Sequence, residues 1–160
     1  MGSYFHRVRF VIVFLILFTI GRFVLGATGV PYAEGTHVFS IVTFSLFASL
    51  LYGAFSRPLW GFRLPQAMML GVAIGLSGQV LIFLATLGSA LAGAETYFNN
   101  PIALLGQGAG VDVEEAIPLG QAMVARLIGL VVNPILNAIA ALIGWSLGKL
   151  VPGKASDHAR

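Results

Sequence analysis

Apolar residues in this chain fall into four long runs, near residues 10–30, 37–55, 66–93 and 119–150, and polar residues collect between them. A helix rising about 1.5 Å per residue needs about 20 mostly apolar residues to cross a hydrocarbon core of about 30 Å. Each run is therefore predicted to be a transmembrane helix. The second is close to the minimum length, whereas the third and fourth can tilt or extend past the membrane. The connections "PYAEGT" and "SRPLWGFRLP" are short, so the first three helices should be sequential antiparallel neighbours. The predicted fold is an all-α integral membrane protein with one domain over residues 1–160, an antiparallel bundle of four transmembrane helices. A long extracytoplasmic loop, residues 94–118, joins the third helix to the fourth. In that loop "NNP" reads as a turn, "PIALLG" as an apolar stretch at the membrane surface, "GQGAG" as a flexible piece and "VDVEEAIP" as an acidic approach to the last helix.

Composition agrees with lipid as the solvent. The chain is 58% hydrophobic and 9% charged, with a mean hydropathy of +0.91, whereas soluble domains carry roughly 25% charged residues. The net charge of +3 does not point to nucleic acid, because the basic residues sit singly at membrane borders without interleaved aromatics. Their placement instead sets orientation. His6, Arg7, Arg9, Arg57, Arg63, Lys149, Lys154 and Arg160 flank one side, and Glu34, Glu95, Asp112, Glu114 and Glu115 the other. Lysine and arginine mark the cytoplasmic side, so both termini are expected there, at the inner membrane if the host is a bacterium. Trp60 and Trp145 on one side, with Tyr32 and Tyr97 on the other, fit an interfacial aromatic belt. The basic start and "FVIVFLILFTIG" loosely resemble a secretory signal peptide. The apolar run continues past Arg22 through "FVLGATGV" without an A-x-A site, so the first span is expected to be retained.

Little chemistry is encoded. Cysteine is absent, which removes disulfides, thiol catalysis and thiolate ligands, and the three histidines lie apart. No catalytic motif, metal site or cofactor is expected, and "GQGAG" lacks the strand and Lys-Ser/Thr of a phosphate-binding loop. In outline, four short-looped spans resemble the small multidrug transporters, whose resemblance would imply a membrane-buried carboxylate for proton coupling. The first helix has none.

Informative polar residues lie on helix faces. Helices in lipid associate through close packing and hydrogen bonds, and small residues four apart let two backbones approach. Such stripes are Ser45, Ser49 and Gly53 on the second helix, Gly71 and Gly75 on the third, and Gly144 and Gly148 on the fourth. The stripe on the third helix leads to Gln79, and the one on the fourth follows from Asn133 and Asn137. From the basic side, Gln79 lies about 20 Å along its helix, Asn137 about 18 Å and Asn133 about 24 Å. Gln79 is thus expected to meet one of the two asparagines. Such a layer is either packing glue, at about 0.6 kcal/mol per contact, or the lining of a solute path. Pro134 between the asparagines frees a carbonyl one turn earlier, near Leu130, and predicts a kink.

Arg22 and Arg126 fall in the outer part of the membrane, where charge is costly and calls for a partner. They are expected either to converge with Glu34, His37 and Glu95 in an outer polar cluster, or to snorkel to lipid phosphates. The leading functional expectation is a non-enzymatic membrane protein, an accessory or assembly subunit packing with itself or a larger complex, with lipid as its other partner. A small solute transporter using Gln79, Asn133 and Asn137 is the alternative, and a lipid-acting membrane enzyme the third.

Overall fold

The computed structural model describes residues 2–105 and 117–150. The "GQGAG" segment, Asp112, Glu114, Glu115, Lys154 and Arg160 lie outside the described residues. Every element described is helical: α1 (Gly2–Arg7), α2 (Arg9–Ala27), α3 (Tyr32–Gly35), α4 (Ile41–Trp60), α5 (Leu64–Leu91), α6 (Pro101–Leu105) and α7 (Leu119–Leu147), which tightens into a 3-10 turn over Gly148–Leu150. Three helical stretches are long and apolar enough to cross a membrane: Arg9–Ala27, Leu64–Leu91 and Leu119–Leu150. The predicted second span is not among them. Helix α4 is long enough, with 20 residues, but three serines and a terminal Arg57-Pro58 dilute its hydropathy.

Helix α5 is the hub. Half of its spanning window is buried, against 17% of α2 and 22% of α7. Small residues explain how α7 reaches it. Gly71 and Gly75 sit against the Asn137 and Asn133 backbone carbonyls, so close that a β-carbon at either glycine would overlap them. On another flank of α7, Gly53 meets the Ala141 carbonyl and Gly144 meets the Leu50 carbonyl in the same way. Pro58 cannot donate to the Ala54 carbonyl one turn earlier, and Gly148 approaches that carbonyl. Helix α2 is held more lightly, through Val11 and Leu15, with Leu15 resting on Gly78.

Element ends depart from the apolar pattern where turn chemistry takes over. Helix α4 starts at Ile41 rather than near His37, because Ser40 accepts the Thr43 N–H as its N-cap. It also runs further, through Trp60, and stops at Gly61, which turns left-handed at φ 63°. Helix α7 runs through Pro134 without interruption, and Pro134 is buried. The predicted long loop is partly built in: Thr96, Tyr97 and Phe98 are buried, and Pro101–Leu105 forms a short helix.

The exposed residues of α2 and α7 are overwhelmingly apolar. Phe10, Phe14, Leu17 and Ile20 on α2 and Val124, Ile128, Val131 and Ile135 on α7 are each at least half exposed. Cations and indoles share one end of the bundle: the Arg7 guanidinium lies 5.1 Å from the Trp60 ring, and the Arg57 guanidinium 5.3 Å from the Trp145 ring. Trp145 Nε1 donates to the Phe62 carbonyl at 2.8 Å. We refer to this as the Trp60 end, and to the opposite one as the His37 end.

Candidate functional site

Two polar constellations are present, one midway along the helices and one at the His37 end. In the first, Asn133 Nδ2 donates to Gln79 Oε1, and Gln79 Nε2 donates to the Arg126 carbonyl at 3.1 Å. Asn137 Nδ2 donates to the Asn133 carbonyl at 2.9 Å, and Asn137 Oδ1 accepts from Ser49 Oγ at 2.7 Å. Gln79 therefore meets Asn133, while Asn137, fully buried, turns to α4 and ties it to α7. The Asn137 amide serves the Asn133 carbonyl rather than the Leu130 carbonyl that Pro134 frees. Among the described residues no buried side-chain nitrogen or oxygen lacks a hydrogen-bond partner. Ser49 was visible only as a packing residue, since a small hydroxyl on a stripe of small residues carries no sign of its acceptor.

At the His37 end, α2, the turn after α3, the start of α4 and the Tyr97-Phe98 strap, with Ile82 of α5, Ala103 of α6 and Arg126 of α7, line a half-open cavity of about 210 Å³. Arg22 and Arg126 both line it. Arg22 Nη1 donates to the Thr36 carbonyl at 2.9 Å, Nη2 reaches the Tyr32 hydroxyl at 3.4 Å, and the guanidinium lies 5.3 Å from the Tyr97 ring. Arg126 is drawn inward: Nε donates to Thr86 Oγ1 at 3.0 Å and Nη2 to the Phe98 carbonyl at 2.7 Å. Neither guanidinium is spent on a carboxylate of the described residues.

Backbone features hold this arrangement. Tyr97 is buried, and its hydroxyl donates toward the Val30 and Pro31 carbonyls, at 2.9 and 3.1 Å. Gly35 leaves room for that hydroxyl, which a β-carbon would displace. Phe39 adopts φ 52°, uncommon for a bulky residue, and its ring fills the notch at Gly21 against Phe18. That kink places the Thr36 and Val38 carbonyls toward Arg22.

The expected outer cluster is thus divided. Arg22, Arg126 and His37 line the cavity, but the acids do not join them. Glu34 is exposed on α3, and Glu95 lines a separate cavity of about 270 Å³ beside Thr86, Ser89 and Asn99. The acids are instead solvated, whereas hydroxyls and carbonyls compensate the arginines. Thr86 could be found by periodicity, lying about two turns beyond Gln79 on α5. The Phe98 carbonyl could not, because loop backbone carries no repeating pattern. No group of histidines, aspartates and glutamates among the described residues is placed to hold a metal ion. Comparison with protein-family models, curated proteins and solved structures finds no match to this chain.

Proposed function

We propose that this chain is a four-span, non-enzymatic membrane protein, an accessory or assembly subunit that packs as a helical bundle with itself or a larger membrane complex. In this reading α4 also crosses the membrane, as the second of four spans in chain order, and the helices alternate in direction. Pairing supports the alternation: Gly71, Gly75 and Gln79 of α5 face Asn137, Asn133 and Arg126 of α7, rising along one helix as they fall along the other. The clustering of Arg7, Arg57, Trp60 and Trp145 supports placing the Trp60 end, and with it both termini, at the cytoplasmic surface.

The observation that carries the reading is the hydrogen bonding of the amide layer between helices. Gln79, Asn133, Asn137 and Ser49 bond one another and nearby carbonyls across the helix interfaces, as polar side chains do when they act as interhelical glue. The transport reading keeps one favourable observation: Gln79 bonds the backbone of Arg126, whose side chain lines the cavity at the His37 end.

Gln79→Leu separates the two. Losing two interhelical hydrogen bonds at about 0.6 kcal/mol each should lower unfolding stability in detergent by about 1 kcal/mol. The assembly reading expects that loss with an unaltered small-solute permeability of proteoliposomes. A solute flux present in the parent and abolished by Gln79→Leu, with stability intact, would replace it by the transport reading.

A further inference from the structure

We infer that the cavity between Arg22 and Arg126 is a binding site for a phosphate group. Two guanidiniums line one half-open pocket, and no aspartate or glutamate among the described residues contributes to its wall. Each retains unused donors. Of five N–H groups on an arginine, Arg126 directs Nε and Nη2 to Thr86 and Phe98, and its Nη1 has no acceptor among the described residues. Arg22 commits Nη1 and Nη2 to Thr36, Val38 and Tyr32, leaving Nε. Because every fully buried side-chain nitrogen among the described residues is paired, these free donors are on accessible surface.

Two like charges brought together repel each other, and a shared counterion relieves the repulsion. Phosphate suits the geometry, because its oxygens accept from the planar guanidinium fork and two cations match its charge better than that of a carboxylate. The Tyr32 hydroxyl accepts from Arg22, so its own proton remains available to an anion oxygen. A volume of about 210 Å³ has room for a tetrahedral oxyanion with several waters. The phosphate could belong to a phospholipid headgroup or be free in solution. The inference needs only the cavity, so it stands apart from the assembly reading.

The test is thermal unfolding of the purified full chain under inorganic phosphate titration, first in a phosphate-free maltoside detergent and then in phosphatidylcholine nanodiscs. In detergent, phosphate is expected to raise Tm saturably, as a ligand specific to the folded state must. His37→Glu, an exposed substitution at the cavity wall, supplies a competing carboxylate and should weaken the phosphate response at least tenfold; Arg22→Gln should do the same. If the site takes a headgroup, the nanodisc protein already has its ligand and shows no further response. If it takes free phosphate, the response persists in nanodiscs. Absence of a saturable response in detergent would overturn the inference, and so would a response unchanged in both variants.

Discussion

Gly144→Val is expected to destabilise the bundle by about 3 kcal/mol, the upper end of the usual cost of overpacking. Gly144 is buried where α7 crosses α4, and a β-carbon there would overlap the Leu50 carbonyl and press on the Ala54 amide. Those are backbone atoms, so no rotamer change can relieve the overlap. The helices would have to separate, and separation would also lengthen the Gly53–Ala141 and Gly148–Ala54 contacts on the same face. In lipid, separated helices recover no hydrophobic energy, since hydrocarbon replaces hydrocarbon and only lost packing remains. Reversible unfolding in mixed detergent micelles measures the change. Gly88→Val is the matched control: a β-carbon at Gly88 meets nothing within 4 Å, so only a small propensity effect is expected.

The next largest effect is expected at Asn137. Replacement by leucine removes the acceptor of Ser49 Oγ and the donor to the Asn133 carbonyl at a fully buried position, for a loss of about 2 kcal/mol from broken bonds and altered shape. Part of that loss comes from leaving Ser49 unpaired, so removing its hydroxyl as well should cost nothing further. Ser49→Ala alone should cost about 1 kcal/mol, and the double variant should be about 1 kcal/mol more stable than the sum of the two losses. Additivity instead would mean that Ser49 and Asn137 do not bond across the α4–α7 interface.

These two residues also show where the sequence was readable. Helical period and rise place Asn137 on an inward face at a given depth, but two helices flank α7 and periodicity cannot choose between them. By rise alone Gln79 lies nearer in depth to Asn137 than to Asn133, yet it is hydrogen-bonded to Asn133, and Asn137, one turn away, turns to α4 instead. The apolar runs were legible because lipid demands them over whole helices. The boundaries of α4 were not, since they depend on single residues: Ser40 as cap, Phe39 at positive φ and Gly61 as the left-handed stop. At the His37 end, Arg22 and Arg126 stood out as charges within apolar runs. Their partners are backbone carbonyls of Thr36 and Phe98, groups that every residue possesses and no sequence can mark.

The standing of α4 as a span is the point on which the account turns, because α4 supplies Ser49, Gly53 and the Leu50 carbonyl that fasten α7. The chain has no native cysteine, so single cysteines at exposed positions report their side of the membrane through an impermeant thiol reagent. Ser3, Ala33, Pro65 and Ala92 are exposed and lie before α2, on α3, at the start of α5 and just past its end. With α4 spanning, Ser3→Cys and Pro65→Cys label from the cytoplasmic side, and Ala33→Cys and Ala92→Cys from the opposite side. Labelling of Ala33→Cys and Pro65→Cys from the same side would mean that α4 does not cross, and would contradict the four-span bundle.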